Sequence, residues 1–159
     1  MDAIDLLERH HRQLEQQFSA LNESDKPSMQ DFKAASDLLV SHMTIEEQQF
    51  YPAVKAKRTE DILLESLEEH LSLKRVLSDM LALAADDPQF SPKMHVLAEQ
   101  LEHHHGEEED GLFPKSRKLL PADAREQLGV RMQAQFDALL LANPRRLVPD
   151  QTDAAAVLP

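Results

Sequence analysis

Cysteine is absent from the chain, which excludes disulfides, thiolate metal sites and cysteine nucleophiles together. Glycine occurs three times in 159 residues and β-branched residues are sparse, so strands and hairpins lack their usual signals. No run approaches the roughly 20 apolar residues that a membrane-spanning helix needs, and the mean hydropathy is -0.48. Basic residues are also short: 17 Lys and Arg stand against 29 Asp and Glu, for a net charge of -12. Phosphate binding needs clustered positive charge, so neither nucleic acid nor an anionic membrane surface is an expected partner. The opening residues 1–13 contain no basic region followed by a long apolar stretch, and a cytoplasmic location is expected.

What the chain does contain is helix-forming: Leu, Ala, Glu, Gln and Lys dominate, and hydrophobic residues at 42% suffice for a core. An all-α protein is expected. Ile4, Leu7, His11, Leu14, Phe18 and Leu21 recur three and four apart, the stripe of a helix facing a core over about 2–21. A loop over 22–28 precedes a second helix from about Gln30 to Lys57, kinked where Pro52 cannot donate to the backbone ladder. A third helix starts near Glu60 and carries Leu63, Leu67, His70, Leu73, Leu77 and Met80. After a loop over 86–92, a fourth carries Leu97, Leu101, His104, Glu108 and Leu112 to about Lys118. A short fifth helix begins at Asp123. The expected architecture is an up-down-up-down four-helix bundle over residues 1–142. The Pro-rich segment 143–159 has no amphipathic period and is expected to be mobile or to serve only in contacts.

In each of the four long helices a histidine interrupts the apolar stripe, and the chain repeats itself around those histidines. Residues 42–52 and 104–114 both read His, three residues, Glu-Glu, three residues, an aromatic ring, Pro, at an offset of 62. The surroundings of His11 and His70 repeat at nearly the same offset. Two helical hairpins therefore each donate a lone His from the first helix and His-x-x-x-Glu from the second. Residues four apart share a helix face about 5.4 Å apart, so His42 with Glu46 and His104 with Glu108 reach one cavity. Helix lengths on either side of each turn bring all four histidines to one height. Two carboxylates and four imidazoles in an apolar interior need a partner, and a metal is the natural one. One octahedral ion could take all six; two ions bridged by Glu46 and Glu108 explain them better, with a position left open for a small ligand.

The neighbours read more blandly. His10, His103 and His105 turn about 100° per residue away from the proposed ligands and are expected at the surface or behind them, with His95 at the surface. Glu47, Glu69 and Glu109 read as exposed charge, with support of the ligands as the alternative. Lys74 reads as solvated, though placed to cover the open position; Tyr51 reads as packing, though its turn could bring it to the site, and Met43, Met80, Met94 and Met132 read as packing.

With the doubled His-x-x-x-Glu-Glu motif on the appropriate helices, and a lone His before each, residues 2–118 resemble the hemerythrin-like, or HHE cation-binding, domains. The resemblance extends loosely through 128–132. It implies the ligand set His11, His42, Glu46, His70, His104 and Glu108, holding two iron ions joined by an oxo or hydroxo group, with no haem. It further implies binding of a small diatomic ligand (O2 or NO) or peroxide. Alternatives it leaves open are an enzyme that detoxifies peroxide or nitric oxide, and a protein that stores or senses iron. Oxygen-carrying members place two histidines one turn apart on the third helix, whereas Ser66 and Lys74 stand one turn from His70 here.

Overall fold

The computed structural model describes residues 1–159 and is helical throughout, without strands. Helix α1 (Ala3–Glu23) is started by Asp2, whose side chain accepts from the Ile4 N–H. Helix α2 (Met29–Ile45) is started by Ser28, whose hydroxyl accepts from the Asp31 N–H. Each cap satisfies a backbone donor that the first helical turn leaves unpaired. Helices α4 (Glu60–Leu81) and α5 (Phe90–Glu107) complete a four-helix bundle around a core of Leu, Phe, Ile and Met side chains. The fifth helix, α7 (Ala122–Leu141), is 20 residues long and packs on α1 and α2.

The second and fourth bundle helices are not continuous. Glu46–Phe50 and Glu108–Leu112 are π-helical turns, followed by the short α-helices α3 (Tyr51–Ala53) and α6 (Phe113–Leu119). In each, the N–H of the residue before the proline bonds five residues back, Tyr51 to Glu46 and Phe113 to Glu108. In a regular α-helix the rings of Pro52 and Pro114 would meet the carbonyls four residues earlier; widening the turn by one residue removes that clash. The first break also ends α3 at Ala53, short of the expected Lys57. There the Thr59 hydroxyl accepts from the Ala56 N–H and donates to the Val54 carbonyl.

Two further segments differ from expectation. Helix α5 begins at Phe90, inside the expected loop, because Pro92 falls in its first turn where no N–H is required and Phe90 is buried edge-on against Phe32. The segment expected to be mobile or to serve only in contacts is folded: Pro144–Gln151 forms a 3-10 helix with Val148 fully buried. Arg145 holds it by ion-pairing with Asp37 of α2, and Arg75 of α4 donates to the Thr152 carbonyl.

Candidate metal centre

All six residues singled out by the repeat lie in the bundle interior, each 0–1% exposed. They converge from four helices on the two π turns. Glu46 lies at the centre: its Oε1 is 3.2 Å from His42 Nε2 and 4.0 Å from His11 Nε2. Its Oε2 is 3.1 Å from His70 Nε2, on the opposite side. Glu108 faces it, with Oε1 3.6 Å from His11 Nε2 and 3.0 Å from His104 Nε2. The Nε2 atoms of His70 and His104 are 3.0 Å apart. The four histidines thus divide into a pair on α1 and α2 and a pair on α4 and α5, with the two carboxylates between.

The outward nitrogens of these rings are also held. His11 Nδ1 is 2.8 Å from Glu109, His70 Nδ1 is 2.9 Å from Glu47, and His104 Nδ1 is 3.0 Å from Glu69. Each of these contacts leaves Nε2 facing inward as the free ring nitrogen. The arrangement follows the sequence repeat. In each hairpin the first Glu of the pair faces the centre while the second backs the lone His of the other hairpin. The residue preceding each lone His backs the second one: Glu69 behind His104, and His10 behind His42 at 3.5 Å.

Other neighbours read as bland from sequence also lie against this centre. Tyr51 is fully buried, its hydroxyl 3.3 Å from Glu46 Oε2, 3.2 Å from Glu108 Oε2 and 3.2 Å from His70 Nε2. His105 is 1% exposed and lies face to face with His11, ring centroids 3.8 Å apart. His10, expected at the surface or behind a ligand, takes the second place: it backs His42, is covered by α7 and stacks on Phe136 at 4.1 Å. Lys74 is not solvated but 4% exposed and ion-paired with Glu47 at 2.8 Å. His103 and His95 are exposed as expected.

Without a metal, protons balance the charge. Burial alone would depress the His11 and His104 imidazoles, but carboxylates outweigh it, Glu108 and Glu109 lifting His11 to about 9 and Glu108 lifting His104 to about 10. Burial likewise opposes His70, which Glu46 and Glu47 raise. Burial dominates at His42, His10 and His105, lowering all three, His10 to about 3. Glu46 and Glu108 are held below the usual carboxylate range by these imidazoles despite burial and their mutual repulsion.

Protons do not satisfy the centre. Six buried side-chain atoms have no well-aligned hydrogen-bond partner, and five of them are His11 Nε2, His42 Nε2, His105 Nε2, Glu46 Oε1 and Glu108 Oε1. Leaving a buried polar atom unpaired costs about 1–3 kcal/mol. Donors on one ion at bond lengths near 2.1 Å and right angles stand about 3 Å apart, and the contacts above are of that order. Ligand atoms of His11, His42, Glu46 and Glu108 lie within 4.8 Å of one another, as do those of Glu46, His70 and His104. The residues present fit a metal centre of imidazole and carboxylate donors.

Known proteins agree with this reading at the level of fold and family. The family model described as hemerythrin HHE cation binding domain matches residues 2–116. A solved structure, a hemerythrin HHE cation-binding domain-containing protein homologue from Mycobacterium kansasii, superposes with a TM-score of 0.80 at 22% identity, covering 92% of each chain. A protein named DNA nickase from Nostoc sp. is 26% identical over 136 residues, or 84% of this chain. The chain spans 39% of that relative's length.

Proposed function

Because the chain belongs to the hemerythrin HHE cation-binding domain family, we infer that its interior centre holds two iron ions and through them binds or processes a small ligand, O2, NO or peroxide. The observation that carries this reading is the cluster of five unpartnered buried nitrogen and oxygen atoms around two opposed carboxylates. Glu46 and Glu108 would bridge the ions, with His11 and His42 on one and His70 and His104 on the other. The Tyr51 hydroxyl lies among the donors of the second. Bound iron supplies redox chemistry and Lewis acidity toward a small ligand.

The chain's own residues do the rest. Glu109, Glu47 and Glu69 accept from Nδ1–H and so fix the ring orientation and the free Nε2 of His11, His70 and His104. Phe50, Leu112 and Phe113, all buried, exclude bulk water and keep the centre in a low dielectric. A role on DNA, which the Nostoc relative's name states for that protein, draws little support from a net charge of -12.

The first test is metal content. Protein expressed with iron should carry close to two irons per chain by elemental analysis. One metal or fewer, with several metals offered, defeats the paired-site reading. Turnover of peroxide by the iron-loaded protein then separates an enzyme from a binding protein.

A further inference from the structure

The repeat keeps its His, Glu-Glu and Pro in both halves, and two of its departures fall at the centre. Tyr51 in the first half corresponds to Phe113 in the second, and Met43 in the first corresponds to His105 in the second. Tyr51 brings a hydroxyl to His70. Phe113 lies beside His11 with ring centroids 5.6 Å apart and brings no donor atom. On that same side His105 comes in: its ring is parallel to His11 within 9° at 3.8 Å and edge-on to His42 at 5.7 Å.

Three observations make His105 more than packing. Ring nitrogens of His11, His42 and His105 lie within 4.8 Å of one another. His105 Nε2 is buried and without a partner. Its Nδ1 is held by Glu15 at 3.2 Å, the same carboxylate-outside, Nε2-inside arrangement that orients His11, His70 and His104. Helix geometry allows both members of the His104–His105 pair to take part. Glu108 lies four residues from one and three from the other, so α5 faces the midline with one histidine on each side.

The geometry points to His105 as a third imidazole donor to the ion held by His11 and His42, occupying the terminal position that a small ligand would otherwise take. Each ion then has five protein donors: three imidazoles on one, two imidazoles and Tyr51 on the other, with Glu46 and Glu108 common to both. A ligand reaches the first ion by displacing His105. This rests on the paired-metal reading above.

Cobalt(II)-loaded protein with ring-labelled histidine tests it by NMR. Each coordinated imidazole that keeps its Nδ1–H gives one exchangeable, strongly shifted proton. Five are expected in the unmodified protein, four in His105→Ala and five in His103→Ala. Two bound ions with four shifted imidazoles, unchanged in His105→Ala, overturn the assignment while leaving the metal pair intact. Failure to take up two ions overturns the pair itself. The unmodified protein alone gives the count should the variant not fold. Azide provides a second reading on the diferric protein: His105→Ala should bind it at least about tenfold more tightly. Equal azide affinity in the two proteins counts against His105 as the occupant of that position.

Discussion

Glu47 differs from Glu109 in one respect that affects how firmly each holds its histidine. Both accept from the Nδ1 of a lone His, at 2.9 and 2.8 Å. Glu47 is 10% exposed and locked by buried Lys74, whereas Glu109 is 28% exposed and pairs with surface Arg12. Burial at low dielectric strengthens such a contact, and loss of an outer partner of a metal-bound histidine costs about 10–100-fold in affinity. Glu47→Gln should fall near the upper end of that range and Glu109→Gln near the lower, measured by competition with a chelator. Equal losses would mean that burial does not set the strength of these contacts. At this scale the sequence singled out His11, His42, Glu46, His70, His104 and Glu108, which the fold buries together, because one interior cluster draws one residue per turn from each helix. It did not show that His105 packs beside His11, since a helix that faces two points on either side of its own midline presents adjacent residues to both. It hid the burial of His10 because a fifth helix covers a face of α1 that a four-helix bundle would leave wet.

The two π turns place the centre, and each is followed two residues on by a proline. Pro52→Ala restores an N–H that can bond the Gln48 carbonyl and removes the ring clash, so regular α-helix competes over 46–50. Residues beyond would rotate by about 100°, drawing Tyr51 away from Glu46 and His70 while leaving Glu46 in register with His42. Metal affinity should weaken by about tenfold or more. A titration matching the unmodified protein would show the turn to be incidental. Helix α7 depends on a different close approach. A Cβ at Gly129 would run into the Met1 carbonyl oxygen and stand 3.0 Å from the Ala3 N. Gly129→Ala should therefore cost about 1–3 kcal/mol, lowering the melting temperature by roughly 2–12 °C; an unchanged melting curve would mean that the N-terminal residues yield freely. The proline in the second motif was visible from the start, but a proline in a pattern announces only a break. Whether the break is a kink, a stop or a widened turn depends on what the next helix packs against. The same holds for Pro144–Gln151, whose period is that of a 3-10 helix and whose anchor, Asp37, lies more than a hundred residues away.

Across the whole molecule, metal and protons compete for the same atoms. Without metal, His11 and His104 are raised from 6.5 to about 9 and about 10, so both are protonated in the folded protein at pH 7 and mostly neutral in the unfolded chain. A group whose folded pKa is raised adds stability that is fully present below its unfolded value and is lost as pH climbs through the folded one. The metal-free protein should thus lose stability between about pH 6.5 and 10. Metal requires neutral imidazoles, so loading at pH 7 should release at least two protons per chain, measurable by calorimetry in buffers of different ionisation enthalpy. The metal-loaded form should be flat over that alkaline window and lose its advantage in acid, where protonated His and Glu release the ions. Metal that binds only the folded state adds RT ln(1 + [L]/Kd), about 4 kcal/mol at a thousandfold excess over Kd. That corresponds to a melting shift of roughly 8–16 °C for a chain this size. Melting curves of both forms from pH 5 to 10 would separate the effects: the gap should widen as pH rises, because alkali weakens only the metal-free protein. A gap that stays constant across that range would mean that the imidazole protons and the metal do not share the same nitrogens.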